Sequence, residues 1–73
     1  MGRIVAIGEE PRIMGFALTG VVVCPAADAG AVRAAWRNLR TDDALVILTA
    51  AAAEVLGDEV LRTRPPLTAV MPA

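Results

Sequence analysis

The chain has 73 residues, of which 56% are hydrophobic, and its net charge is −1. That length makes one domain at most, and a domain near this size buries only about 60% of the surface its unfolded chain exposes, so the apolar composition leaves surface for a partner to cover. The charge gives no reason to expect nucleic acid or an anionic membrane, and the absence of Lys, His and Tyr removes many catalytic devices.

Ile4 to Ile7 is a continuous apolar run, as in a strand covered on both faces. Gly8 ends it. Glu9-Glu10-Pro11 then gives a helix-start signal: carboxylates beside a Pro at a first helical position. The helix is predicted over about Pro11 to Thr19, with Gly20 closing it in the left-handed conformation. Val21 to Cys24 is a second, β-branched run, ended by Pro25. Asp28 is the expected N-cap of a second helix over Ala29 to Arg40. Its Val32, Ala35, Trp36 and Leu39 form a core stripe, and Arg33, Arg37 and Arg40 share the opposite side.

Thr41-Asp42-Asp43 reads as a polar turn, and Ala44 to Leu48 as the third strand. Thr49 caps a third helix over Ala50 to Arg62, with Ala53, Leu56 and Val60 buried and Glu54, Asp58 and Arg62 solvated and weakly coupled. Gly57 weakens that helix by about 1 kcal/mol relative to Ala and marks a place for a bend or break. Arg62 and Arg64 suit a helix C-terminus, and Pro65-Pro66 forbids continuation. Leu67 to Met71 is the fourth strand, with Pro72 at its end.

The order β-α-β-α-β-α-β predicts an α/β domain with a four-stranded parallel sheet and helices on both faces, a Rossmann-like or receiver-like three-layer arrangement. Right-handed crossovers leave few topologies. The expected strand order is 2-1-3-4, with the two longest apolar runs central and the short or Pro-flanked ones at the edges. The first helix then lies alone on one face and the other two on the opposite face. The fourth strand has an open side that could accept another chain. The lone Cys24 cannot form an internal disulfide, which fits a reducing compartment. No run of about 18 apolar residues spans a membrane, and the N-terminus lacks signal-peptide features. A soluble, cytoplasmic protein is expected.

In open parallel sheets ligands bind beyond the carboxyl ends of the strands, which brings the turns Gly8-Glu9-Glu10, Cys24-Pro25 and Thr49-Ala50 together. Glu9 and Glu10 could hold Mg²⁺ as in a phosphoacceptor receiver domain. Such a domain needs an Asp at the end of its third strand, where Thr49 or Ala50 stands, and a later Lys, of which there is none. The bland alternative, carboxylates favouring a helix N-terminus, weighs more. Gly8 opens a turn that could approach a phosphate, but two carboxylates would repel one and Pro11 removes a donor. Cys24 has no base beside it in sequence and no second Cys, so a buried, inert thiol is the default. Thr49 is more plausibly a helix cap than a phosphate ligand, the Arg33, Arg37, Arg40 stripe more often a wet face than a docking site, and Trp36 core. No catalytic residue, cofactor or metal site is expected.

The first helix is less ordinary. At about 100° per residue, Phe16, Ile13, Ala17, Met14 and Leu18 cover an arc of roughly 200°, about twice what one buried face needs. Either the helix is deeply buried or one flank meets another protein.

The pattern Ile4-Val5-Ala6-Ile7-Gly8-Glu9, then Gly15-Phe16-x-Leu18-x-Gly20-Val21, resembles the F-subunit family of prokaryotic V/A-type ATPases. Leu45-Val46-Ile47-Leu48-Thr49 and the closing Pro66-x-x-x-Val70-x-Pro72 are also similar to it. The resemblance covers nearly the whole chain in order and spacing, through motifs that are individually weak. It implies a non-catalytic central-stalk (rotor) component, cytoplasmic and peripheral to the membrane without inserting in it, that binds the coiled-coil D-subunit and other stalk components. Such a part helps couple ATP hydrolysis or synthesis to ion transport. It also implies that Gly8 and Gly20 are turn glycines, that Gly15 allows close helix approach, and that Phe16 packs beside it. The candidate partner interface is Glu9, Glu10, Arg12, Met14, Phe16, Arg33, Arg37 and Arg40. Glu9 departs from the family's usual Asp. Family members commonly continue into a regulatory C-terminal segment, whereas a single domain over residues 1–73 without that tail is expected here. The alternative from another class is a small receiver-like or anion-binding signalling domain, resting on Glu9 and Glu10.

Overall fold

A computed structural model of the protein describes residues 2–40, 43–62 and 67–72. The four apolar runs form β1 (Arg3–Gly8), β2 (Val22–Pro25), β3 (Asp43–Leu48) and β4 (Leu67–Val70). All pairings are parallel and the order is β2-β1-β3-β4. Around the sheet lie α1 (Glu10–Ile13), a 3₁₀ segment (Met14–Thr19), α2 (Ala29–Arg37), α3 (Ala50–Leu56) and α4 (Glu59–Arg62).

The expected α/β class and strand order are therefore observed. Alternation along the strands divides the apolar residues between two layers. Val5 and Ile7 of β1 align with Val46 and Leu48 of β3, and these four pack with Val32 and Trp36 of α2 and Ala52 and Leu56 of α3 in the main core. Ala35, Leu39, Ala53 and Val60 lie half-buried against it. Ala6 and Ile13 are fully buried outside that cluster; α1 packs on β1 and β2, on the other face.

Two helices differ from expectation, and a third breaks at the place the sequence marked for it. The first is α-helical only to Ile13 and continues as a six-residue 3₁₀ segment. Runs of that length are uncommon because 3₁₀ hydrogen-bond geometry is poor. Here no residue of the segment is buried, so packing does not hold it in the α form, and the Thr19 hydroxyl donates to the Phe16 carbonyl at 2.7 Å, three residues back. Gly20 closes it at φ 83°, as the sequence predicts.

The second helix stops at Arg37, not Arg40. The Leu39 N–H reaches only three residues back, to Trp36 O at 3.3 Å, and the Arg40 N–H is taken at 2.8 Å by the Asp43 carboxylate. Arg40 therefore leaves the stripe with Arg33 and Arg37. The third helix breaks at Gly57, whose φ of 55° and ψ of −127° are closed to side-chain-bearing residues, and resumes as α4.

Asp43 belongs to β3, not to a polar turn. Thr41 and Asp42 lie outside the described residues, as do Arg64, Pro65 and Pro66, where the helix stop and part of the closing motif were expected, and Ala73. Ala44 is an extra residue between the pairs Arg3–Asp43 and Ile4–Leu45, a bulge at the start of the central pairing.

Candidate functional site

The carboxyl ends of β1, β2 and β3 meet as the topology requires. The Ala26 N–H donates to Gly8 O at 2.8 Å and the Thr49 N–H to Ile7 O at 3.2 Å. Gly8 is buried, and a Cβ there would stand 2.5 Å from Thr49 Oγ1 and closer still to Thr49 Cγ2. Its φ is not positive. Close approach of the Thr49 side chain, not an unusual turn conformation, is what requires glycine here. Thr49 itself is 1% exposed, and its hydroxyl caps α3 by accepting from the Ala52 N–H at 3.2 Å. Asp28 caps α2 in the same way, accepting from the Ala31 N–H at 2.8 Å.

Glu9 is half-exposed and precedes α1, but its side chain does not cap that helix. A hydrogen bond with the Thr49 side chain is the main reason its carboxyl is held below the ordinary value, with its own backbone N–H and Arg12 acting in the same direction against partial desolvation. Glu10 lies in the first turn of α1, exposed. No group of three His, Cys, Asp or Glu residues that could hold a metal ion occurs among the described residues.

Beside these turns, on the α2 and α3 side, is a groove of about 230 Å³, lined by Glu9, Ala26, Ala27, Asp28, Ala29, Val32, Ala51, Ala52 and Val55. The sequence signals it only as an alanine bias after β3.

The opposite face is where the remaining interface candidates divide. Arg12 is exposed on α1. Met14 and Phe16 lie on the 3₁₀ segment, Met14 43% exposed and Phe16 half-buried. Leu18 on the same segment is 93% exposed. Nothing among the described residues comes within 4 Å of where a Cβ on Gly15 would stand, so none of them makes the close approach expected at Gly15. Arg33 and Arg37 are exposed on α2, on the other side of the sheet, and do not join Met14 and Phe16 in one surface. Arg40 follows α2, its backbone pinned to Asp43.

α1 and the 3₁₀ segment pack over β1 and β2, and neither makes more than marginal contact with β3 or β4. Among the described residues, the other half of that sheet face is therefore thinly covered. Ile4, Leu45 and Leu67 align in register across β1, β3 and β4. Ile4 is 40% exposed and Leu67 75% exposed.

At the amino end of the sheet Asp43 is 2% exposed and accepts from Arg3 Nε at 2.6 Å, Arg3 Nη2 at 3.1 Å and the Arg40 N–H. The Arg3 hydrogen bond is the main cause that holds its carboxyl below the ordinary value, against desolvation. Sequence reasoning missed this pair: its members are 40 positions apart and neither sits in a motif. Cys24 lies half-buried against the core, and desolvation pushes its thiol up, with Arg3 opposing and Asp43 adding to the rise. A raised thiol is a poor nucleophile at neutral pH.

No protein-family model matches the chain, and neither the curated proteins nor the solved structures include one significantly similar to it. No helix among the described residues is long and apolar enough to cross a membrane.

Proposed function

We propose that the chain is a non-catalytic protein-binding component, and that its partner is the coiled-coil D-subunit of a V/A-type ATPase central stalk. The partner's identity rests on the resemblance of the Ile4–Val21 stretch and of the later strand motifs to the F-subunit family. The binding role rests on one observation above others: the half-covered sheet face with Leu18 and Leu67 standing 93% and 75% exposed. Parallel sheets are ordinarily covered on both faces, and this one has apolar side chains in place over β3 and β4 with no described helix above them. On this reading the partner supplies the missing cover, and the chain transmits torque or fixes geometry while chemistry happens elsewhere in the complex.

Co-expression with the cognate coiled-coil D-subunit should yield a complex that survives gel filtration. Leu18→Glu and Leu67→Glu change side chains already in solvent and should leave the isolated fold intact by circular dichroism while each weakening the complex at least tenfold. Failure of the wild-type pair to co-purify would defeat the assignment to the stalk. A complex indifferent to both substitutions would remove this face from the interface.

A further inference from the structure

The groove on the opposite side of the sheet has a composition that selects its occupant. Its apolar floor includes Ala26, Val32, Ala52 and Val55, its polar groups are the carboxylates of Glu9 and Asp28, and no basic residue among the described ones lines it. Arg12 acts on Glu9 but is not part of the lining. The amino ends of α2 and α3 adjoin this groove, yet their capping N–H groups at Ala31 and Ala52 are already taken by Asp28 and Thr49. One donor at each helix end is thus satisfied within the chain, and the fixed charge beside them, from Glu9 and Asp28, is negative and disfavours an anion.

Size argues next. Small-molecule pockets run from about 300 to 1,000 Å³ and enclose most of the ligand's surface. This groove, at about 230 Å³ and open on one side, falls short of that. It has room for one or two aliphatic side chains of a larger body outside, not for a small molecule enclosed on all sides.

From this we infer that the groove docks a partner polypeptide through a Leu, Ile or Met side chain, with an Arg or Lys within one helical turn of that residue meeting Glu9 and Asp28. The negative rim sets the sign of the partner's charge, and the Ala and Val floor sets its anchor. This surface is separate from the Leu18 and Leu67 face and does not depend on the identity of the stalk partner.

The test is selection of random twelve-residue displayed peptides on the folded protein, followed by amide chemical-shift titration with the synthesised winner. Selected sequences should carry an aliphatic residue with Arg or Lys within four positions, and should shift the amides of Ala27, Ala51 and Val55. The double variant Glu9→Gln, Asp28→Asn should weaken binding at least fivefold. It keeps an acceptor for Thr49 and an equally good N-cap, so the fold survives. Ala51→Leu should fill the groove and abolish binding, while Leu18→Glu should leave it unchanged. Selection of no consensus, shifts that map to Leu18 and Leu67, or indifference to the double variant would overturn the inference. So would leucinamide shifting the same amides as tightly as the peptide, since the occupant would then be a small amine.

Discussion

Gly8 and Thr49 show how one side chain can constrain the backbone of a residue 41 positions away. With Thr49 packed on it, Gly8→Ala forces the turn apart and should cost about 1–3 kcal/mol, the range for overpacking a tight interior. Thr49→Ser, which removes the offending methyl and keeps the cap, should restore part of the loss, read from urea midpoints of the two single variants and the pair. Thr68 offers the opposite case. Its Oγ1 is buried with no hydrogen-bond partner among the described residues, and an unpaired buried hydroxyl costs stability. Thr68→Val should raise unfolding stability by about 1 kcal/mol, visible as a higher melting temperature. Asp43 sets an acid limit. Its folded carboxyl titrates below its unfolded value, so its contribution is complete at pH values above about 4, the unfolded range, and is lost as pH falls through the folded value. Urea titrations from pH 7 downward should show that decline, and Asp43→Asn should be less stable at pH 7 with a flatter acid limb.

At the scale of elements, the strands were more legible than the helices. Each β run is short, continuous and bounded by Gly, Pro or polar residues, so pattern alone located all four; crossover handedness left few orders, and the length of the first and third runs selected the observed one. Asp28 and Thr49 were readable as caps because capping is a local bond. Two helices departed from the ideal α pattern where a side chain or a lack of burial decides the last turn. Arg40 sits in helical sequence but loses its N–H to Asp43, a contact that no helical periodicity contains. The 3₁₀ segment was unreadable because an apolar arc drawn for an ideal α-helix assumes that the α form persists to Thr19, and none of its residues is buried enough to make it persist. The caps make a clean prediction. Asp28→Ala should destabilise by about 1 kcal/mol while Asp28→Asn stays within a few tenths, both measured by thermal unfolding.

For the molecule as a whole, the radius of gyration is 10.9 Å, against about 11 Å expected for a compact chain of this length. The exposed apolar row is therefore a property of the architecture and not of loose packing. Small domains sit close to their stability limit, and a ligand that binds only the folded form at a hundred times its dissociation constant adds about 2.7 kcal/mol. The melting temperature of the isolated chain should accordingly rise by several degrees on adding saturating partner, and at the same partner concentration the rise should fall to about half or less in Leu18→Glu if that face is the contact. The groove was the least legible feature of all, because its walls come from three separate stretches that only the closed sheet assembles.

The central pairing of β1 with β3 also dictates an order of events during synthesis. The first strand to emerge is internal to the sheet, yet its neighbour on one side is the segment beginning at Asp43, 40 positions later. Closing so long a loop is entropically costly and slow. Until it happens a greasy ribbon from Ile4 to Ile7 waits with one edge unsatisfied. A nascent chain halted before residue 43 should remain unfolded, and the interval before β3 arrives is when a chaperone has most to protect.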